Sequence, residues 1–216
     1  MKKVPVLIAD FETTVVHDTK DMEIKDIKEN YSTRVWQAGF SNLDKEDHMV
    51  YADSIDEFMY KVFTYGAQGG ANIFFHNLGG FDGAFIWDWA LKNGYDYVHA
   101  KEYSQANKRI VGELSRFTIF KHDKVFNFYD TLDMIKSNID GMSKAIAKDT
   151  GTDEVKGVTP LYTEEELANR TQEQIEYDNW YLKVDVQTLK YVVKKYMIAE
   201  CIDPVSYTHL TLPTNR

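Results

Sequence analysis

The sequence predicts an α/β fold with helices packed on a mixed sheet. Three observations carry this: short β-rich apolar segments dominate the first half, strand and helix signals alternate in the middle, and the signals from Asp133 onward are mostly helical. The length of 216 residues suits one good-sized domain with a real core. With 44% apolar and 27% charged residues, disordered and fibrous classes are excluded.

The elements follow in order. Val4 to Glu12 reads as a strand, as do Val35 to Phe40 and His48 to Ala52. Ser54-Ile-Asp-Glu57 has the spacing of a capping box and opens a helix whose apolar face carries Phe58, Val62 and Phe63. Asn72 to His76 is a short apolar strand, and a Gly79-Gly80 turn leads into a helix bearing Phe85, Ile86 and Trp89. Lys101 to Lys108 is polar and aperiodic, as a loop is. Arg109 to Asp130 contains two or three β segments. Two further capping boxes stand at Thr163-Glu-Glu-Glu166 and Thr171-Gln-Glu-Gln174.

Several function classes drop out. No apolar run approaches the roughly 20 residues of a membrane span, so no membrane partner is expected. Met1-Lys2-Lys3 and the apolar run after it break at Asp10 without a cleavage site, unlike a signal peptide. The single cysteine, Cys201, excludes an internal disulfide and fits a reducing, cytoplasmic compartment. A net charge of -9 argues against a broad basic face for duplex DNA. It leaves room for a narrow site where metal ions neutralise a phosphate.

The last residues read differently. Val205-Ser-Tyr-Thr-His-Leu-Thr-Leu-Pro-Thr214 back-translates to GTC TCT TAT ACA CAT CTG ACG CTG CCG ACG, a string resembling a transposon adapter of sequencing libraries. The expectation is one domain over residues 1–203 with a non-native tail at 204–216, the protein continuing beyond about Asp203. A genuine polar tail is the alternative.

Four carboxylates stand in apolar surroundings. Strand alternation places Val6, Ile8, Asp10 and Glu12 on one face, so a core-facing stripe runs into two acids. Asp82 opens the helix that continues through Phe85, Ile86 and Trp89; an N-cap role and a site role are both open. Asp185 interrupts a stripe of Leu182, Leu189, Val192, Val193 and Tyr196, where a carboxylate is costly unless paired. Tyr181 lies one turn before it on the same side. Such acids around one cleft repel each other unless hard divalent cations, Mg²⁺ or Mn²⁺, hold them. No Cys/His cluster offers zinc a site, and His76 beside Asn77 reads as a strand-end hydrogen-bonding residue.

Ala9-Asp-Phe-Glu-Thr-Thr14, Phe75-His-Asn-Leu-Gly-Gly-Phe-Asp-Gly-Ala-Phe-Ile86 and Tyr181-Leu-Lys-Val-Asp185 resemble, in order, the three exonuclease motifs of family B DNA polymerases. The likeness favours the protein-primed branch of phages and linear plasmids and runs from about Val4 to Tyr196. It takes in Asp53-Ser-Ile-Asp-Glu-Phe58 and Tyr129-Asp-Thr-Leu132. The resemblance implies a ribonuclease-H-like fold with proofreading 3′-5′ exonuclease activity, two metal ions, and single-stranded DNA 3′ ends as substrate. It implies Asp10, Glu12, Asp82 and Asp185 as metal ligands, with Tyr181 orienting the attacking water. Lys156 resembles a lysine that assists catalysis, with a solvated loop lysine as the alternative. Thr13, Asn77, Phe81, Phe85, Thr131, Leu132 and Tyr162 match positions that hold the strand; core packing is the alternative for the two phenylalanines.

Tyr51-Ala-Asp-Ser-Ile-Asp56 only faintly resembles a polymerase palm signature and reads better as a strand end feeding the Ser54 cap. The expected parent is a monomeric DNA polymerase acting in a host cytoplasm on primer-template DNA, with a terminal protein as a candidate partner. A free-standing exonuclease acting on DNA or RNA is the alternative.

Overall fold

The computed structural model describes residues 4–14, 33–98, 107–133, 135–150 and 157–198. Lys156, Cys201, the 204–216 tail and most of the expected 101–108 loop lie outside them; Lys108 itself begins a strand.

Eight strands form one mixed sheet. They are β1 (Val6–Thr13), β2 (Val35–Asn42), β3 (Val50–Ala52), β4 (Gly70–Phe75), β5 (Asp96–Tyr97), β6 (Lys108–Glu113), β7 (Arg116–Lys121) and β8 (Lys124–Asp130). Their spatial order is β3-β2-β1-β4-β8-β7-β6-β5. β1, β4 and β8 run parallel at the centre, and antiparallel hairpins extend both sides. β1 begins at Val6 rather than Val4, as Pro5 has no N–H for the ladder. β3 begins at Val50 rather than His48, whose Nδ1 instead accepts the Asn42 N–H at 3.1 Å and closes the hairpin.

Helices cover both faces. α1 (Ile55–Tyr65) and α2 (Gly83–Lys92) bury Phe58, Met59, Val62, Ile86 and Ala90 against Leu7, Ala9 and Phe11 of β1. α3 (Ile139–Thr150) and α5 (Gln172–Val192) bury Met142, Leu182, Val186 and Leu189 against Val6 and Ile8, the opposite pleat of the same strand. Each fully buried apolar side chain contributes about 1.5–3 kcal/mol. Between α3 and α5 lies α4 (Glu164–Ala168). Among the described residues, no helix is long and apolar enough to cross a membrane.

The caps form largely as their residue types dictate. Thr163 and Thr171 make complete boxes with Glu166 and Gln174. At Ser54 only half forms: its hydroxyl accepts the Glu57 N–H, but Glu57 turns its carboxylate to the N–H of Asp53 at 2.8 Å.

Candidate active site

Asp10 and Glu12 occupy the α5-facing pleat of β1, just before its register shift at Glu12/Thr13. Opposite Asp10 on β2 is Gly39. A Cβ there would lie 3.1 Å from Leu182 Cδ2 and 2.6 Å from Met49 Cε, so the missing side chain lets α5 settle close to the sheet. One helical turn beyond Leu182, Asp185 then meets the strand. Asp10, Glu12 and Asp185 each offer a carboxylate oxygen, all within 4.8 Å of one another. Asp185 is 3% exposed and Glu12 7%.

Asp82 joins them in a cleft of about 820 Å³. Helical geometry starts earlier than expected, in a wide π-helical turn over Leu78–Asp82 that runs into α2. Asp82 therefore has helical dihedrals (φ -63°, ψ -32°) and caps nothing with its side chain, which settles the N-cap alternative against it. Burial, then the charges of Asp10 and Asp130, push its carboxyl well above the usual carboxylate range. Buried carboxylates gathered this closely make an oxygen-only donor set that suits a hard divalent cation.

Tyr181 is 1% exposed and lines the same cleft, its hydroxyl 2.9 Å from Thr159 Oγ1. His76 also lines it. The Thr131 hydroxyl lies 3.0 Å from the Phe75 carbonyl and shares a hydrogen bond of 2.9 Å with His76 Nδ1, in the direction that the imidazole tautomer sets.

The residues expected to hold a strand are distributed unevenly. Asn77, Phe81 and Leu132 line the cleft. Asn77 takes a left-handed conformation (φ 68°), and Phe81 is 44% exposed. Phe85 touches the Phe81 ring edge-on at 5.4 Å but is half-buried against the core, not among the residues lining the cleft. Thr13 is also half-buried outside that lining. Thr131 and Tyr162 lie outside that lining as well. Thr131 is wholly buried with its hydroxyl engaged behind the cleft. Tyr162 donates at 3.0 Å to Asp178, two helical turns before Asp185 on the same face of α5.

Sequence reasoning missed Asp130, whose carboxylate accepts the backbone N–H groups of Asn77, Gly79 and Leu132 at 2.8–2.9 Å. It also missed Thr159 and Lys136, the latter being the one lysine or arginine among the described residues lining the cleft. Asp130 left a signal, an acid ending an apolar strand; Thr159 and Lys136 left none in local pattern. A separate depression of about 460 Å³, lined by Lys190, Tyr191 and Gln187, shares no residue with the cleft.

No protein-family model matches the chain. The DNA polymerase of Bacillus phage Nf is 27% identical over 191 residues, 83% of this chain and 28% of that protein. The DNA polymerase of Bacillus phage phi29 is 38% identical over 101 residues, 45% of this chain and 14% of that protein. The solved phi29 DNA polymerase superposes with TM-scores of 0.66 in complex with primer-template DNA and 0.64 in complex with single-stranded DNA. The chain is similar to the phi29-type phage DNA polymerases. The likeness to the first of those structures covers 92% of this chain at 23% identity, so the two share a fold over that stretch. Against these polymerases the chain spans about a third or less of their length. In this chain the acidic cleft sits where strand β1, the π-helical turn and α5 meet.

Proposed function

We propose that this chain is a proofreading 3′-5′ exonuclease domain, hydrolysing the 3′-terminal phosphodiester of single-stranded DNA. The observation that carries the reading is the convergence of Asp10, Glu12 and Asp185 within 4.8 Å, in a cleft shared with Asp82 and Tyr181. Asp10, Glu12, Asp82 and Asp185 would hold two divalent ions, Mg²⁺ or Mn²⁺. Such ions supply an activated water and neutralise charge on the scissile phosphate. In the balanced reaction a water oxygen bonds to phosphorus as the P–O3′ bond breaks, releasing a nucleoside 5′-monophosphate and a new 3′-hydroxyl.

The side chains do the positioning. The Tyr181 hydroxyl orients the attacking water at the cleft floor. Phe81 offers an exposed ring on which a terminal base stacks without sequence preference. Asn77 and Leu132 border the path of the strand. A frayed 3′ end would enter this cleft, so in a longer polymerase the substrate would be the unpaired primer terminus.

Incubation with a 3′-labelled single strand tests this. Labelled mononucleotide should appear with Mg²⁺ or Mn²⁺ and not with chelator. No release under any metal overturns the reading, and equal release from RNA would favour a general nuclease over a proofreading one.

A further inference from the structure

Residues 157–163 lie along the first half of α5 and are tied to it at several points. The Tyr177 hydroxyl donates to the Val158 carbonyl at 2.8 Å. Gly157 packs so closely that a Cβ there would lie 2.5 Å from Tyr177 Oη and 2.8 Å from Trp180 Cζ3. At the other end the Tyr162 hydroxyl donates to Asp178 Oδ1 at 3.0 Å, and Arg170 Nη1 donates to Oδ2 at 2.8 Å. Asp178 is fully buried, and the Arg170 guanidinium lies over the Trp36 ring at 4.7 Å. A desolvated ion pair of this kind is strongly directional.

Between these ties stands Thr159, which lines the cleft and whose Oγ1 lies 2.9 Å from the Tyr181 hydroxyl. The Tyr181 ring is locked by burial, leaving rotation of the hydroxyl proton about the C–O bond as its remaining freedom. A partner on one side of that oxygen fixes which way the rest of its hydrogen-bonding capacity points.

Building on the exonuclease reading, we propose that Thr159 is a positioning residue: held by the strap to α5, its hydroxyl sets the orientation of the Tyr181 hydroxyl toward the water site. Either polarity of the bond does this. If Thr159 donates, the Tyr181 proton is directed into the cleft; if Tyr181 donates, its oxygen faces the cleft as an acceptor. Thr159 touches neither the strand nor the reacting atoms in this scheme and acts only through Tyr181.

The test compares Thr159→Val, Thr159→Ser, Tyr181→Phe and the Thr159→Val/Tyr181→Phe double variant with the unaltered chain. Thr159 is exposed and Tyr181→Phe removes only a hydroxyl from a ring that keeps its packing, so all should fold, and thermal melting verifies it. On single-stranded DNA with Mg²⁺, Thr159→Val should lower kcat about fivefold with KM unchanged, the effect of one lost hydrogen bond. Thr159→Ser should restore the rate. In the Tyr181→Phe background Thr159→Val should add nothing, as the two residues act as a unit. An unchanged rate for Thr159→Val, failure of Ser to rescue, or an equal loss in both backgrounds overturns the proposal.

If the unaltered chain releases no nucleotide, the nuclease reading falls, and the hydrogen bond is read by NMR of ring-labelled tyrosine. The Tyr181 resonance, assigned by its loss in Tyr181→Phe, should move in Thr159→Val and not in Thr159→Ser. An unmoved resonance overturns the proposal independently of activity.

Discussion

Asp130, the last residue of β8, accepts the backbone N–H of Asn77 on Oδ1 at 2.9 Å and so ties a strand end to the start of the π-helical turn. Its Oδ2 takes the Gly79 N–H at 2.8 Å, and Oδ1 also takes Leu132 at 2.8 Å. The turn so held carries Phe81 and Asp82. That carboxylate lies outside the expected ligand set, yet it holds the turn that carries Asp82, one of the proposed ligands.

Asp130→Ala removes the acceptor from three N–H groups, and the expected destabilisation is about 2–4 kcal/mol. Metal-dependent release should fall further than stability alone explains, because Asp82 loses its fixed backbone. Urea unfolding beside an activity assay on the folded fraction checks both. Unaltered stability would show that water replaces the carboxylate at no cost.

Asp10→Ala and Asp185→Ala should each abolish Mg²⁺-dependent degradation, while Tyr181→Phe should slow it and leave metal affinity intact. A ligand is needed for the ion itself, whereas orienting water contributes only in the transition state. Calorimetric Mn²⁺ titration with single-turnover rates separates the two effects. Full activity in Asp185→Ala would refute the ligand assignment.

Substrate grip should be weak and salt-sensitive through one side chain. The chain holds 34 acidic against 25 basic residues, and Asp140 on the cleft rim is paired with Lys144 at 2.7 Å. Among the described residues lining the cleft, Lys136 is left as the countercharge for a strand phosphate. Lys136→Ala should raise KM with kcat little changed and reduce the single-strand salt slope by about 0.7, the value for one phosphate contact. Fluorescence titration of a labelled strand at several salt concentrations measures it. Binding of the unaltered chain tighter than about micromolar at physiological salt would contradict this charge argument.

Burial raises the pKa of four described tyrosines, Tyr51, Tyr95, Tyr129 and Tyr162, and Tyr95 and Tyr162 should titrate latest. Burial pushes Tyr95 up to about 12, and burial with the hydrogen bond to Asp178 pushes Tyr162 up to about 12. A raised folded pKa means these phenols contribute stability fully present below their unfolded pKa of about 10, lost as pH climbs through 12. Phenolate absorbance against pH should therefore show a late step that shrinks in Tyr162→Phe. A single step near the unperturbed value for all tyrosines would show that neither is sheltered.

The sequence by itself determined the elements and the acids they carry, because strand and helix periods arise from local backbone geometry. Alternation in β1 put Asp10 and Glu12 on one pleat, and the 3.6-residue period put Tyr181 and Asp185 on the buried stripe of α5. The boxes at Thr163 and Thr171 needed only residues three apart. Asp82 was ambiguous, since capping depends on backbone dihedrals that the π-helical turn alone decided. Asp130 and Thr159 meet partners 53 and 22 residues away, Asn77 and Tyr181. Those meetings depend on β8 lying beside β4 and on a strap docking to α5. Only the tertiary structure decides such contacts, because they are set by packing between elements distant in the chain, for which no local period exists.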